Sequence, residues 1–106
     1  MIIAPCSVKT LAGIATGYAD TLIVRAADVM LKERRPLVLA VRETPLNAVH
    51  IRNMLPLAEM GATIFPPVPA FYHRPENLDD VVDYTVLRML DQLELGTDSP
   101  HRWSGL

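Results

Sequence analysis

The chain has 106 residues, half of them hydrophobic, with one cysteine and a formal net charge of -2 at pH 7. This length suits one domain with a modest core, and the apolar content excludes intrinsic disorder. The near-neutral charge offers no basic face for DNA or RNA, and a single cysteine excludes a disulfide framework. Apolar runs fall far short of the roughly 18 residues of a membrane span, and the N-terminus lacks signal-peptide features. We therefore expect a soluble, cytoplasmic α/β domain.

The N-terminal segment predicts a strand followed by a short helix. Residues 2–4 form an apolar run that Pro5 should end, as at the close of a buried strand. Ser7 or Thr10 would then cap a helix that ends near Gly17, because hydroxyl side chains favour helix starts and glycine favours helix ends.

The next segment predicts a longer helix over residues 21–34, with Asp20 as its N-cap. Arg25, Asp28 and Lys32 share one polar stripe of this helix. From spacing alone, Lys32 is an ion-pair partner of Asp28, four residues earlier.

The middle of the chain predicts two more strands around a helix. Residues 37–41 are an unbroken aliphatic run, typical of a parallel strand that is buried on both faces. A helix over roughly residues 47–60 follows, in which Pro56 predicts a kink or the start of a second helix. Residues 62–65 form the third candidate strand.

The last third of the chain predicts a rigid loop and a final helix. Prolines fix residues 66–75 as a loop, and Asn77 should cap a helix over residues 78–93. The alternation of strands and helices predicts a parallel sheet with right-handed crossovers. Apolar positions at helical spacing form one stripe of the final helix: Leu78, Val81, Val82, Thr85, Met89 and Leu93.

Three polar clusters follow the predicted strands, at residues 5–10, 42–45 and 70–75. Ligands of open parallel sheets bind at the carboxyl ends of the strands, so these clusters are candidate sites. The first offers hydroxyls and helix N-terminal N–H groups to a phosphate or carbonyl, although plain helix capping explains it equally well. Arg42 suits an anion or a ring carbonyl, and Glu43 suits proton transfer. A solvated ion pair between them is the alternative.

Other reactive side chains are less specific. Tyr72 lies in the proline-fixed loop with His73 and Arg74, where phosphate binding and ordinary surface polarity are both open. Arg88 borders the apolar stripe, where an arginine either reaches solvent or binds an anion. The three histidines lack ligand spacing, so no metal is assigned. Cys6 is interpreted as a packed residue, since no histidine base is adjacent in sequence.

Five blocks, in order along residues 1–95, closely resemble the flavin prenyltransferases. These are ubiquinone-pathway flavoproteins once described as phenylacrylic acid or 3-octaprenyl-4-hydroxybenzoate decarboxylases. The blocks read APCSVKTLA (4–12), RAADV (25–29), LKERR (31–35), VRETP (41–45) and PPVPAFY (66–72). The resemblance implies a flavodoxin-like (Rossmann-like), doubly wound parallel sheet in a large homo-oligomer, with FMN held between subunits.

The resemblance also implies a metal-independent reaction. A dimethylallyl group passes from dimethylallyl monophosphate to N5 and C6 of reduced FMN. The product is the cofactor of a partner decarboxylase that acts on aromatic or α,β-unsaturated acids. The expected partners are therefore a prenyl phosphate, further copies of the chain and that decarboxylase.

Flavin-binding residues carry over from the family at five positions. Ser7, Val8, Lys9 and Thr10 match a flavin-binding loop. Arg42 matches an arginine that contacts the flavin. The resemblance thus implies that the first two polar clusters serve one cofactor.

Prenyl-phosphate residues carry over at four further positions. Tyr72 and Arg88 match groups that hold the phosphate. Lys32 and Glu43 match residues that complete the phosphate and proton-transfer site, as catalytic groups. This implied role of Lys32 replaces the ion pair that spacing suggests.

The sequence departs from the family at its start. Family members begin with a strand and a Gly-Ala-Ser-Gly type phosphate loop, whereas this sequence begins inside the family pattern. We therefore expect residues 1–95 to be the C-terminal portion of one flavoprotein domain, with a sheet of about three strands, and residues 96–106 to be a polar tail. A fragment, a misplaced start codon or a natural truncation would each produce such a chain.

Two other functions stay open at this point. One is a related flavoprotein acting on peptidyl-cysteine or phosphopantothenoylcysteine, against which the Tyr72 loop and the cluster at residues 42–45 argue. The other is a non-catalytic remnant that oligomerises or binds flavin without turnover.

Overall fold

The computed structural model of the chain describes residues 1–95. Contacts divide the chain into two compact units, Met1–Pro66 and Pro67–Leu106, here called the N-terminal and C-terminal units. The predicted tail lies outside the described residues, and a single domain over residues 1–95 stays a prediction. Within the described part, no helix is long and apolar enough to cross a membrane. The elements are β1 (Ile2–Cys6), α1 (Val8–Thr16), α2 (Leu22–Lys32), β2 (Val38–Val41), α3 (Ala48–Glu59), β3 (Thr63–Ile64) and α4 (Leu78–Asp91).

The three strands form one parallel sheet in the order β1-β2-β3. Val38 of the central strand pairs with Ile2 on one side and with Thr63 on the other. All four residues of β2 are buried, as its unbroken aliphatic sequence predicts. The predicted parallel α/β architecture is thus confirmed.

Strand β1 differs from its prediction, because it continues through Pro5 to Cys6. Its register against β2 shifts: Ile3 pairs with Leu39 but Cys6 pairs with Val41. β1 therefore contains one residue more than its partner over this stretch, which is a bulge. Proline lacks an N–H donor, and a bulge at a sheet edge is where a strand tolerates that loss.

The hydrophobic core lies in the N-terminal unit, where helices α1, α2 and α3 and the strands contribute to one cluster. Burying a leucine or valine side chain is worth about 1.5–3 kcal/mol relative to exposure. The sheet and its helices are therefore held together mainly by apolar contact. The cluster consists of Cys6, Leu11, Ile14, Val24, Ala27, Leu31, Leu37, Leu39, Val41, Leu57 and Ala62.

Side-chain caps begin the helices much as the sequence predicts. Ser7 caps α1 by accepting a hydrogen bond from the Thr10 N–H, and Gly17 ends it in the left-handed conformation at φ 71°. In α3, Asn47 and His50 form a reciprocal capping box. Each cap satisfies an N–H group that the helix itself leaves unpaired.

The N-cap of α2 corrects the prediction by one residue. Thr21, not Asp20, accepts a hydrogen bond from the Val24 N–H, at 3.2 Å. A hydroxyl three residues before an N–H is placed to cap it, and Asp20 lies one position too early for this role.

Helix α2 ends in a turn that uses a left-handed arginine. Arg34 has φ 56° and donates its N–H to the Leu31 carbonyl at 3.1 Å. Arg35 donates to the Met30 carbonyl at 2.8 Å. This pair of bonds is the Schellman arrangement, in which the left-handed position usually belongs to glycine.

Helix α3 is a single helix that includes Pro56, so no second helix begins there. Proline removes one backbone donor and frees the carbonyl one turn earlier, at Arg52. Both residues are exposed, so water can hydrate that carbonyl. The predicted start of a second helix at Pro56 is therefore wrong, and a kink at this residue stays a prediction.

Helix α4 begins as predicted, with Asn77 accepting a hydrogen bond from the Asp80 N–H at 2.9 Å. Asp79 and Asp80 also place negative charge in its first turn, where the helix dipole favours it. The predicted apolar stripe is not buried along its length, since Leu78 is 74% exposed and Val82 is 50% exposed. The buried residue of α4 is instead Tyr84.

Candidate functional site

The first two polar clusters meet at one edge of the sheet. Cys6, the last residue of β1, pairs with Val41, the last residue of β2. Neighbouring strands lie about 4.8 Å apart, so the residues that follow, Ser7 and Arg42, begin side by side. The expectation that the two segments share the carboxyl edge is met.

The segment after β1 is a capped helix start. The Ser7 hydroxyl accepts from the Thr10 N–H at 3.1 Å and bonds the Thr10 hydroxyl at 3.1 Å. The predicted capping role of Ser7 is therefore confirmed. The N–H groups of Val8 and Lys9 belong to the first turn, which has no intrahelical acceptor for them. An anion or a carbonyl oxygen at this helix start would find those donors together.

A groove of about 350 Å³ lies between α1 and the N-terminal part of α2. Lys9 and Thr10 line it, together with Tyr18, Asp20 and Thr21, while Ser7 and Arg42 do not. The loop predicted to bind flavin thus contributes side chains to two surfaces. The spacing of motifs along the sequence gave no sign of this groove, because its far wall comes from the next helix.

Arg42 and Glu43 are both exposed at the carboxyl edge. Among residues 1–95 neither forms a salt bridge, so the alternative of a mutual ion pair is wrong. Both charged groups are therefore available to a ligand. Their placement directly after a buried strand fixes the backbone that carries them.

Lys32 is the last residue of α2, and its loop leads within a few residues to the amino end of β2. Asp28 pairs with Arg25 at 2.7 Å, which corrects the interpretation from spacing that Lys32 is its partner. Because Glu43 follows the carboxyl end of β2, Lys32 and Glu43 lie toward opposite edges of the sheet. One copy of this sheet does not bring these two residues together.

An aromatic cluster brings together the loop and the helix of the C-terminal unit. The hydroxyls of Tyr72 and Tyr84 are hydrogen-bonded, and their rings meet edge to face at 5.9 Å. The His73 ring stacks on Tyr84 with centroids 4.3 Å apart. Edge-to-face and stacked ring pairs each add about 0.5–1.5 kcal/mol beyond burial. The cluster therefore fixes Tyr72 against α4.

Arg88 lies one turn beyond Tyr84 on the same helix. Its guanidinium forms a salt bridge to Asp91 at 3.2 Å, and its side chain is half exposed. A guanidinium has five N–H donors in a planar fork, so one carboxylate leaves donors for a second anion. The side chain thus both reaches solvent and pairs with Asp91, and its binding of a phosphate stays a prediction.

The pKa of the Tyr84 phenol is raised above its ordinary value. Its hydrogen bond with Tyr72 is the largest cause, followed by burial, while the positive charge of Arg88 lowers it. The positive charge of Arg88 therefore acts on the phenol of Tyr84, which is hydrogen-bonded to Tyr72. Tyr72 and Arg88 therefore belong to one electrostatic neighbourhood within the C-terminal unit.

Cys6 is 1% exposed, and burial raises the pKa of its thiol to about 11. At neutral pH the group is a neutral thiol, and the thiolate is the nucleophilic form. The interpretation of Cys6 as a packed residue is confirmed. Over the described range, histidine, cysteine and acidic side chains form no group of three or more suited to a metal ion.

Comparison with known proteins identifies the family. The sequence profile of the family described as Flavoprotein matches residues 1–90. The chain belongs to the flavoprotein family. The predicted resemblance to flavin prenyltransferases is borne out by this match and by individual relatives.

Two curated relatives of this flavoprotein show the extent of the likeness. Flavin prenyltransferase UbiX of Escherichia coli (strain K12) is 62% identical over 107 residues, covering 99% of this chain and 57% of the relative. A probable UbiX-like flavin prenyltransferase of Bacillus subtilis (strain 168) is 58% identical over 106 residues, covering 100% of this chain and 52% of the relative. The chain spans about half the length of these relatives.

Solved structures give the same fold. A crystal structure of AnUbiX in complex with FMN and dimethylallyl pyrophosphate has a TM-score of 0.91 at 55% identity, over 100% of this chain and 56% of that one. A dodecameric FMN-dependent UbiX-like decarboxylase of Escherichia coli O157:H7 has a TM-score of 0.92 at 56% identity, over 99% and 57%. The predicted flavodoxin-like fold is thus confirmed.

Tyr84, in the aromatic cluster, and Asp91, the partner of Arg88, were not predicted from the sequence. Tyr84 lies four residues before Arg88 and Asp91 lies three after it, so all three share one face of α4. That spacing was the available signal. The apolar stripe is centred on a different face of the helix, so helical periodicity did not indicate Tyr84 or Asp91.

Proposed function

We propose that this chain carries the flavin- and prenyl-phosphate-binding residues of a flavin prenyltransferase. The observation that carries the proposal is the joint placement of Tyr72 and Arg88 beside Tyr84, in a chain similar along its length to a protein crystallised with FMN and dimethylallyl pyrophosphate. The enzyme would transfer the dimethylallyl group of dimethylallyl monophosphate to N5 and C6 of reduced FMN. When bound, the reduced flavin supplies the nucleophilic ring atoms.

The residues at the carboxyl edge of the sheet suit a flavin. Ser7, Val8, Lys9 and Thr10 offer a helix start with N–H and hydroxyl groups, and the flavin ring carries carbonyl oxygens that accept hydrogen bonds. Arg42 adds a planar cation at the same edge. Together these groups would hold the ring and fix its orientation.

Tyr72 and Arg88 would hold the phosphate of the prenyl donor. Breaking the carbon–oxygen bond leaves negative charge on the departing phosphate, which a fixed guanidinium and a hydroxyl donor stabilise. The salt bridge to Asp91 holds the half-exposed guanidinium, which has further N–H donors for a phosphate. Binding and departure of the phosphate would thus use groups that are already in place.

Glu43 would accept the proton released when the new ring closes, since its carboxylate is exposed beside the proposed flavin site. Lys32 would add a second cation for the phosphate. Because the two lie toward opposite edges of the sheet, a site that uses both takes them from different copies of the chain. This supports a homo-oligomer, and a related UbiX-like protein is described as a dodecamer.

The product would serve a decarboxylase of aromatic or α,β-unsaturated acids in the ubiquinone pathway, as the resemblance implies. A cytoplasmic location stays a prediction. The alternative is a flavin-binding remnant without turnover. No contact within residues 1–95 favours this alternative over the enzyme.

The test is anaerobic incubation of the purified chain with reduced FMN and dimethylallyl monophosphate, followed by flavin absorbance and mass spectrometry. A second sample is a chimera in which this chain replaces the matching segment of the Escherichia coli relative. An alkylated flavin from either sample supports the proposed residues. Flavin binding without alkylation in both samples favours the remnant instead.

Two variants assign the roles. Glu43→Gln keeps size and should still bind FMN, but it should slow ring closure by about 10²–10⁴-fold because proton transfer is lost. Arg88→Ala should raise the prenyl-phosphate requirement about tenfold or more while sparing FMN, as expected for a lost charge-assisted contact. Parent-like turnover of Glu43→Gln, or loss of FMN in Arg88→Ala, would contradict these roles.

A further inference from the structure

A buried phenol in the C-terminal unit has no role in the reaction as described so far. Tyr84 of α4 is 6% exposed, whereas its partner Tyr72 is 65% exposed. Tyrosine hydroxyls that are buried require a hydrogen-bond partner, because an unpaired one loses its hydrogen bonds to water without replacement. For Tyr84 that partner is the hydroxyl of Tyr72.

The orientation of the Tyr84 hydroxyl is fixed by its ring. His73 stacks on the ring at 4.3 Å with an interplanar angle of 19°. Tyr72 meets the same ring at 89°. A phenol ring held from two directions keeps its oxygen in one place. That oxygen lies within hydrogen-bond distance of the Tyr72 oxygen.

The direction of the hydrogen bond follows from burial. If Tyr84 donates, its proton is satisfied inside the protein and the Tyr72 proton remains on the exposed side, ready for a ligand. If Tyr72 donated instead, its proton would be turned inward, away from solvent.

We propose that Tyr84 is a positioning residue that donates its hydroxyl proton to Tyr72 and so directs the Tyr72 proton toward an oxygen of the prenyl phosphate. The inference rests on the proposed function of Tyr72. A hydrogen bond donated to the Tyr72 oxygen also polarises the Tyr72 O–H, which strengthens the hydrogen bond from Tyr72 to the phosphate. Tyr84 thus acts on the phosphate through Tyr72 and does not itself touch the ligand.

The variants separate this role from simple packing. Tyr84→Phe removes the hydroxyl and keeps the ring that stacks on His73. Tyr72→Phe removes the proposed ligand contact, and the double variant completes a cycle. The matched control is Thr85→Val, which removes a neighbouring hydroxyl of α4 that bonds the Val81 carbonyl at 3.1 Å.

The measurement is the affinity of the purified chain, saturated with FMN, for dimethylallyl monophosphate by isothermal titration calorimetry. Tyr72→Phe should weaken binding about tenfold, as for a lost hydrogen bond to a charged group. Tyr84→Phe should weaken it about threefold or more in the parent and leave it unchanged in the Tyr72→Phe background. Thr85→Val should stay within about twofold of the parent.

A second readout follows the hydrogen bond without any ligand. Alkaline titration of tyrosinate absorbance in the parent should include a phenol that ionises above the ordinary range of tyrosine. Tyr84→Phe should remove that phenol, and Thr85→Val should retain it. A structural loss of helix packing would not produce this selective change.

The outcomes distinguish the two proposals. If the parent does not bind dimethylallyl monophosphate, or Tyr72→Phe binds it unchanged, the proposed role of Tyr72 fails and the inference fails with it. If Tyr72→Phe weakens binding but Tyr84→Phe does not, only the inference is overturned. Equal weakening by Tyr84→Phe in both backgrounds also overturns it, because the effect would not pass through Tyr72.

Discussion

The two units of this flavoprotein are stabilised in different ways. In the N-terminal unit, buried apolar side chains join β1 and β2 to three helices in one cluster, and Ile64 of β3 packs against it. In the described part of the C-terminal unit, Tyr84 is the one buried hydrophobic residue, and its contacts are a hydrogen bond and two ring contacts. Apolar burial is proportional to area and has no direction, whereas hydrogen bonds and ring contacts depend on orientation.

This difference matters for the candidate residues. Ser7 and Arg42 owe their positions to strands whose register is fixed by the core. Tyr72 and Arg88 owe theirs to individual polar and ring contacts. Substitutions in the first unit should therefore act mainly on stability, and those in the second mainly on local geometry.

The largest contrast should come from truncating the core. Leu39→Ala, at a side chain that is fully buried in the central strand, should lower the free energy of unfolding by about 2–5 kcal/mol. The control is Val82→Ala on α4, half exposed, which should cost less than about 0.5 kcal/mol. Urea unfolding followed by circular dichroism measures both. Similar losses at the two sites would remove the distinction between the units.

A buried thiol in the core should also make the free energy of unfolding decrease at alkaline pH. The pKa of Cys6 is about 11 in the folded chain against 9.0 ordinarily, so the unfolded chain releases the proton first. Stability from this group is complete below about pH 9 and falls as the pH rises toward 11, by about 2–3 kcal/mol. Cys6→Ala should remove this part of the pH dependence. Urea unfolding at pH 8 and pH 10.5 compares Cys6→Ala with the parent chain. An equal loss of stability between these two pH values in both proteins would refute a raised pKa of Cys6.

In the C-terminal unit, the N-cap should matter at a smaller scale. Asn77→Ala removes the acceptor of the Asp80 N–H and should cost about 1 kcal/mol of stability in α4. Asn77→Asp keeps an oxygen at that position and should restore it. Amide hydrogen exchange along α4 reports the change. Equal protection in Asn77→Ala and the parent would mean that the cap does not hold this helix.

The smallest effect should come from the two left-handed arginines, Arg34 and Arg74, one in each unit and both at φ 56°. Arg34→Gly and Arg74→Gly should each stabilise by about 0.5–1 kcal/mol, because glycine adopts this conformation without steric cost. Arg35→Gly is the control, since Arg35 does not have a positive φ and gains nothing. Thermal unfolding ranks the three variants, and destabilisation by Arg34→Gly would contradict the expectation.

Local features were predictable from sequence because their causes are local. Ser7, Asn47 and Asn77 each lie where a side chain can reach an N–H three residues later, and each is an N-cap in the structure. The aliphatic run at residues 37–41 contains the buried central strand for a similar reason. A β-strand with no polar side chain has no face to turn toward water.

The structure departs from the sequence predictions where contacts with an element distant in sequence determine burial or pairing. Helical spacing identified an apolar stripe on α4, but Leu78 and Val82 are exposed and Tyr84 is buried. Periodicity shows which residues share a face, while burial depends on what packs there. Pro5 likewise does not end β1, because the strand forms a bulge there and tolerates the missing N–H of proline.

The candidate site divides along the same line. Pattern and connectivity placed Ser7 and Arg42 at one edge of the sheet, because the carboxyl ends of parallel strands must lie together. The pairing of Tyr72 with Tyr84 was not foreseeable, since the two lie twelve positions apart, one in the loop and one in the helix. Residue type and placement suggested anion binding for Arg42 and proton transfer for Glu43, whereas the specific flavin and prenyl-phosphate roles of the candidate residues came from the family resemblance.

The extra residue in β1 makes chain length at this point matter more than residue identity. It restores the phase of the strand, so that Cys6 turns inward and Ser7 emerges beside Arg42. Replacing the exposed Pro5 by another residue keeps this count. Deleting it would shift every later side chain of the strand to the opposite face and move the helix start relative to its neighbour. Among related sequences we therefore expect insertions and deletions to be excluded here.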